Sequence, residues 1–326
     1  MAEKMITIIT PVYNKAPYIK DWAKGLAKQT YLDKMKILVI DDGSTDESLE
    51  FMKKYISKYR LPAKITVNEK NLGLMYSTKQ AYKKIDTKYF SVLDADDYYL
   101  SPQKIEKAIK FLESHPDYSF YACNTLLEFP DDSQKPYRPK DTPNETYLQM
   151  DGSPFFQTAS TTFRNFFSPE LLEAIDKETG TAKRHAFEAD AFRNILAFHF
   201  GKLYFENSLD CVWRQEIGIW GKTSPISKEL ANMRSYCKYY EFYKKQFGFD
   251  SNANCCIGIS YLRYIKILNY LTALLNGLRV GKFEETDLFK NVLEEREMLD
   301  LNSVFDALIE QYKIYKELGL KIVVQS

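Results

Sequence analysis

Ile37–Asp46 reads ILVIDDGSTD, and Tyr89–Asp97 reads YFSVLDADD. In both, a short and nearly apolar run ends abruptly in aspartates. A run of that length and character is the mark of a strand buried on both faces of a parallel sheet. The carboxylates that follow must then lie just beyond the strand, at the carboxyl edge of the sheet, where ligands bind in open α/β folds. Similar runs occur at Ile6–Pro11 (ITIITP), Ala63–Asn68 (AKITVN) and Ser119–Cys123 (SFYAC). Helical patterns separate them. Ser44-Thr45-Asp46-Glu47 has the form of a capping box, with Ser44 as N-cap, and Leu49, Met52, Ile56 and Tyr59 follow on one face. Ser101-Pro102 and Ser168-Pro169 read as further helix starts, each an N-cap followed by proline. Strands alternating with helices predict a mainly parallel α/β sheet.

Beyond residue 128 the alternation stops. Glu128–Pro154 is rich in proline, Asp and Asn and reads as loops, Ala186–His199 as a helix, and everything from about Lys228 as helical. The apolar stretch Ile257–Leu278 predicts a helix buried against protein, and Leu288–Leu318 an amphipathic one. We place a boundary near residue 225, giving a catalytic domain over 1–225 and a helical region over 226–326 that serves packing or oligomerisation.

The 326 residues carry 45 Lys and Arg against 44 Asp and Glu, a formal charge of +1, so no global basic excess points to a nucleic-acid partner. Five cysteines without a CxxC pair indicate neither a zinc ribbon nor a disulfide framework. No apolar run is long enough for a transmembrane helix, and the first residues lack the pattern of a signal peptide. The expectation is a cytoplasmic protein, with any membrane association peripheral, at the inner face. His115, His185 and His199 show no metal spacing, and no GxGxxG or GxSxG segment is present. Gly218–Thr223 ends like a phosphate loop but lacks its first glycine.

Three constellations carry chemistry. Asp42 follows the second strand beside Gly43, where its carboxylate could accept from a base imide or a ribose hydroxyl; an ordinary strand-to-helix turn has the same composition. Asp94, Asp96 and Asp97 crowd three carboxylates into four residues, an arrangement that suits Mg²⁺ or Mn²⁺ shared with phosphate oxygens. Thr10–Asn14 (TPVYN) offers Tyr13 as a ring to stack on a base.

Taken in order and spacing, TPVYN, DDGSTD (Asp41–Asp46), NLG (Asn71–Gly73) and LDADD (Leu93–Asp97) resemble glycosyltransferase family 2, over roughly residues 5–215. The resemblance implies a GT-A fold and an inverting, metal-dependent transfer of a sugar from a nucleotide diphosphate, UDP being the expected carrier. The acceptor would be a hydroxyl of a glycan, a lipid-linked sugar or a polymer precursor. It implies that Pro11, Tyr13 and Asp42 hold the base and that Asn71 and Gly73 begin a loop along the donor. It also implies that Asp94 lies near the ribose and sugar and that Asp96, with Asp97 beside it, is the metal ligand. Lys79 stands near the place of a family arginine, and Arg214 within Trp213–Glu216 stands where many members carry Tyr-Arg-x-His; both join the donor-binding set. The catalytic base falls to Asp190, with Glu188 as the alternative. The QxxRW signature of processive synthases is missing, which favours adding one or a few sugars. Two rival readings stay open: a sugar nucleotidyltransferase, and a non-catalytic glycan-binding or scaffold protein on the same core.

Overall fold

The computed structural model describes residues 3–148, 156–182, 186–188, 190–215, 225–248, 251–280 and 301–318. Two compact units divide the chain, Met1–Ile217 and Gly218–Ser326.

The first unit is built on one mixed sheet. Its strands are β1 (Ile6–Val12), β2 (Met35–Asp41), β3 (Ala63–Val67), β4 (Tyr89–Val92), β5 (Tyr98–Tyr99), β6 (Tyr118–Glu128), β7 (Gln134–Pro136), β8 (Glu145–Tyr147), β9 (Thr161–Arg164) and β10 (Lys202–Arg214). The main order is β3-β2-β1-β4-β9-β6-β10-β5, with β7 on β6 and β8 on β10. Strands β1 to β4 pair in parallel, as does β10 with β6. Strand β9 runs antiparallel to both β4 and β6 and joins the two parallel halves. The chain builds outward from β1 to β3 and then returns to the other side of β1 for β4. Such a reversal opens a crevice at the carboxyl ends of the strands on either side of it. The register sets Val12 beside Asp41 and Ile9 beside Val92, so the segments after β1, β2 and β4 emerge at this crevice.

Period-two alternation separates the two faces. On one, Ile6, Ile8, Ile37 and Val39 pack with Trp22 and Leu26 of α1 (Ile19–Ala27), Met52 of α2 (Ser48–Tyr59), and Ile105 and Leu112 of α4 (Lys104–Ser114). On the other, Phe90, Phe163 and Phe120 stack across β4, β9 and β6, with centroids 5.0 and 5.4 Å apart. Tyr82 of α3 (Leu74–Tyr82) stacks on Phe167 at 4.1 Å, ahead of α5 (Pro169–Thr179). Helix α6 (Asp190–Phe200) adds Phe198 against Phe120.

Two helix starts differ from the expectation. Helix α2 begins at Ser48 with Glu47 in the cap position and no side-chain cap bond, so the Ser44–Glu47 capping box does not form. Ser44 instead turns its hydroxyl to the Asn14 amide, 3.1 Å away, tying the β1 exit to the β2 exit. Helix α4 begins at Lys104, two residues after Pro102, and Ser101 closes a local turn to the Gln103 amide at 3.3 Å. At α5 the expected cap is formed, Ser168 Oγ accepting from the Leu171 amide at 3.2 Å.

In the second unit, Pro225–Phe247, Ser251–Val280 and Leu301–Glu317 are helical. Glu229 lies against Arg263 at 3.0 Å and against Lys266, pinning the first two of these helices together. Residues 288–300 of the predicted amphipathic stretch lie outside the described residues. No described helix is long and apolar enough to cross a membrane.

Candidate active site

At the end of β2, Asp42 is buried and its carboxylate is held by the neighbouring loop. Oδ1 accepts from Asn68 Nδ2 at 2.8 Å and from the Leu72 amide at 3.0 Å, and Oδ2 accepts from the Gly73 amide at 2.8 Å. Gly43 makes this closure possible. Its φ is +71°, and a Cβ there would lie 2.5 Å from the Lys70 carbonyl carbon. Gly73, at φ +93°, starts α3. Asn14, itself at φ +54°, exchanges bonds with Thr45, whose amide reaches Asn14 Oδ1 at 2.8 Å. The segments holding Pro11, Tyr13, Asp42, Asn71 and Gly73 are thus brought to one edge of the sheet, and the Tyr13 ring is exposed there.

The acidic turn after β4 is held differently. Asp96 accepts a hydrogen bond from Lys15 Nζ. Asp97 turns away from the crevice. It is buried, its Oδ1 accepts from the Arg214 amide at 3.0 Å, and Gln157 Nε2 stands 3.5 Å from its Oδ2. Burial, then repulsion from Asp96 and Asp94, pushes the Asp97 carboxyl well above the ordinary range. Asp94 is pushed up to about 7, chiefly by burial and then by the charges of Asp96 and Asp190. Asp94, Asp96 and Asp190 therefore share one electrostatic environment, although Asp190 comes from a helix almost a hundred residues later.

Asp190 opens α6, where the helix dipole favours its anion. Its Oδ1 accepts from Thr158 Oγ1 and from Arg193 Nη2. Arg193 is buried, and also reaches Tyr82 OH at 3.4 Å and Thr158 Oγ1 at 3.2 Å. The Glu188 side chain, and Glu216, His185 and Gly218–Thr223, lie outside the described residues.

Two expected donor contacts are committed elsewhere. Lys79 is buried, with its ammonium 3.1 Å from Asp176 and donating to Thr179 Oγ1 and the Gly180 carbonyl, each at 2.9 Å; it ties α3 to α5. Arg214 braces the acidic turn from behind. Its guanidinium donates to the Asp96 carbonyl at 2.9 Å, to Glu128 at 2.8 Å and to Asp21 at 2.8 Å. A cleft of about 540 Å³ opens beside it, between Tyr18, Asp21, Tyr98 and Glu128.

Sequence reasoning missed Lys15, Asn68 and Arg193. Lys15 directly follows TPVYN, and Arg193 stands at i+3 from Asp190, one helical turn on. Asn68 meets the site only through the fold. Gln157 and Thr158, which beside Phe155-Phe156 read as acceptor groove or core, reach Asp97 and Asp190.

Among the described residues no three His, Cys, Asp or Glu side chains converge as a closed metal centre. What the crevice offers is Asp96 and Asp94, hard oxygen donors that repel one another. Mg²⁺ and Mn²⁺ take one or two carboxylates and complete their shell with water and phosphate oxygens. The donor set fits such an ion, with Lys15 giving up its place on Asp96.

A switch-point crevice with carboxylates at the ends of β2 and β4 and a further acid at a later helix start defines a GT-A domain. Residues 7–168 match the family model for glycosyl transferase family 2, and by that match the N-terminal unit belongs to that family. Among relatives, an uncharacterized glycosyltransferase of Haemophilus influenzae is 36% identical over 111 residues, 34% of this chain and 33% of that protein. The chain spans about a third of the length of the first curated relatives it matches. Mannosyltransferase PcManGT from Pyrobaculum calidifontis, solved with GDP-Man and Mn²⁺, superposes with a TM-score of 0.59 at 14% identity, covering 96% of this chain and 87% of that one. S. aureus TarS 1–349, solved with UDP-GlcNAc, gives 0.57 at 16% identity, covering 80% and 73%. These likenesses are likenesses of fold.

Proposed function

We propose that the protein transfers a sugar, with inversion, from a nucleotide diphosphate donor to an acceptor hydroxyl on a glycan or polymer precursor. The observation that carries this reading is that the acidic turn after β4 and the start of α6 meet: the consecutive residues Gln157 and Thr158 reach Asp97 and Asp190, and the charges of Asp96 and Asp190 act together on Asp94. UDP is the expected carrier, and the TarS and PcManGT complexes, with UDP-GlcNAc and GDP-Man, support the nucleotide-sugar class.

In this reading the β1 and β2 exits receive the base. Tyr13 supplies an exposed ring, and Asp42 Oδ2 has lone-pair capacity beyond the Gly73 bond. Asp96, with Asp94, would hold Mn²⁺ or Mg²⁺ against the diphosphate. Such an ion, when bound, neutralises the charge on the departing oxygen. Lys15, which stands on Asp96 in the metal-free protein, would leave that carboxylate to the ion and keep its positive charge beside the diphosphate. Asp190 takes the acceptor proton as the new bond forms. Arg193 and Thr158 aim its carboxylate through Oδ1. No covalent enzyme intermediate is needed.

The test is release of nucleoside diphosphate from a panel of UDP- and GDP-sugars with Mn²⁺ and candidate glycan acceptors. Asp190→Asn should lower kcat by about 10²- to 10⁴-fold, the usual worth of a general base, while donor binding by calorimetry stays within about twofold. Full turnover in that variant would remove Asp190 from the reaction, and a chain that binds no member of the panel would end the proposal.

A further inference from the structure

Cys123 of β6 and Cys211 of β10 are free thiols that meet inside the first unit. Their sulfurs are 3.8 Å apart, and the residues are 2% and 0% exposed. Thr125 Oγ1 lies 3.3 Å from the Cys211 sulfur. Close by is Lys104, the first residue of α4, which is fully buried. Its ammonium lies 4.7 Å from the centre of the Tyr99 ring and donates to Thr162 Oγ1 at 3.0 Å. It reaches Ser91 Oγ and the Thr161 carbonyl at 3.4 Å each. All of these acceptors are neutral. A buried ammonium among neutral groups is costly, and an anion beside it offsets that cost. Among the described residues, the Cys123 and Cys211 thiols and the Tyr99 phenol feel the Lys104 charge. Burial opposes ionisation of Cys211. The hydrogen bonds from Cys123 and Thr125 and the Lys104 charge outweigh it and hold that thiol below its ordinary value. Burial, and then the Cys211 sulfur, push Cys123 up. Two thiols in van der Waals contact beside a buried ammonium form a pair that can close to a disulfide once one sulfur is oxidised, provided the strands open briefly to admit the oxidant.

We propose that Cys123 and Cys211 form a redox-modification site, in which a peroxide converts the pair to a disulfide and thereby loosens the brace that Arg214 provides to the acidic turn. The Cys211 thiolate attacks one peroxide oxygen; an S–O bond forms, the O–O bond breaks, and the departing hydroxide takes up a proton as water. Cys123 then attacks the Cys211 sulfur; the S–S bond forms, the S–O bond breaks and a second water leaves. Two thiols and one hydrogen peroxide become one disulfide and two waters, the sulfurs losing the two electrons that the peroxide gains. Peroxide is close to water in size, so it needs only a brief opening of the strand pair.

The coupling follows from the ladder. An S–S bond is about 2.05 Å long, so the sulfurs must close by roughly 1.8 Å. Cys211 pairs with Thr125 and Arg214 with Glu128 in the same β6–β10 register, which is already irregular between Leu209 and Cys211. Arg214, three residues on, bonds both the Asp97 carboxylate and the Asp96 carbonyl. A strand drawn toward β6 at Cys211 shifts those contacts.

The experiment treats the reduced full chain with hydrogen peroxide, alkylates it after denaturation and maps the cysteines by mass spectrometry. The peptide of Cys123 joined to that of Cys211, and released by dithiothreitol, is the expected product. Cys123→Ser should instead accumulate a dimedone-trapped sulfenic acid at Cys211, and Cys211→Ser should give neither product. Oxidation confined to Cys237, Cys255 and Cys256, or both thiols still open to alkylation, overturns the site. UDP with Mn²⁺ is the probe of the coupling, which rests on the proposed function. Oxidation should weaken its binding on the order of tenfold, reversibly, and unchanged affinity in the cross-linked chain overturns the link to Arg214. If the reduced chain binds no nucleotide, the proposed function fails and the peptide map still decides the disulfide.

Discussion

The two acidic turns of this protein look alike in sequence and behave in opposite ways. Asp42 is neutralised by dipoles. An Asn amide and two backbone N–H groups close around it, and the carboxylate is a latch for the 68–73 loop. Asp94, Asp96 and Asp97 are set against each other. Two of them are pushed upward in pKa, and the cations that touch the turn are Lys15, on the Asp96 side chain, and Arg214, on its backbone. Backbone donors stabilise an anion without demanding another ligand, whereas crowded carboxylates leave a demand for positive charge. The first turn builds the crevice and the second is prepared to act in it.

That contrast breaks most sharply at Asp96. Asp96→Asn should lower sugar transfer by at least about a hundredfold, on the scale of losing one transition-state charge interaction, while the melting temperature stays within a few degrees; equal losses of fold and activity would make Asp96 a latch like Asp42. Asp42→Ala should act on the fold as well as on donor binding. It takes the acceptor from the buried Gly73 amide and the part-buried Leu72 amide, while Asn68 keeps its bond to Ser77 Oγ at 3.1 Å; one orphaned buried donor costs about 1–3 kcal/mol. Urea unfolding should show a clear drop in stability, and a variant as stable as the parent would mean that the loop does not depend on this latch.

The smallest effect concerns Asp94. Its folded pKa of about 7 stands above the ordinary 3.8, so the folded state holds a proton that the unfolded chain has released. Stability must therefore fall as pH rises through that interval, the loss being complete above about 7. Asp94→Asn should flatten this slope and raise the melting temperature of the metal-free protein at pH 8. A slope equal to the parent's would show that another group sets it.

The structure also qualifies how local patterns are read. The Ser44–Glu47 box has the right residues for a cap, but Ser44 finds a better-placed partner in the Asn14 amide across the crevice, and the helix starts four residues later. Its place after the NLG loop points Lys79 at the donor. In the fold it lies against Asp176 and Thr179 of α5, partners a hundred residues away that no local pattern names. Asp97 resembles its neighbours in the turn, yet strand β10 turns it inward by offering the Arg214 amide.

Apolar runs ending in carboxylates, with helical periodicity between them, are local properties, because burial on both faces of a sheet needs only a few consecutive residues of the right kind. From them alone came the α/β architecture, the strand ends that carry the chemistry, and the three segments that meet at the crevice. Which carboxylate becomes a latch, which a brace point and which a reactive group depends on donors and charges delivered by β10, α6 and the 68–73 loop. Those encounters are set by chain crossings over tens to hundreds of residues, and electrostatic interaction depends on distance in space, which only the assembled sheet defines.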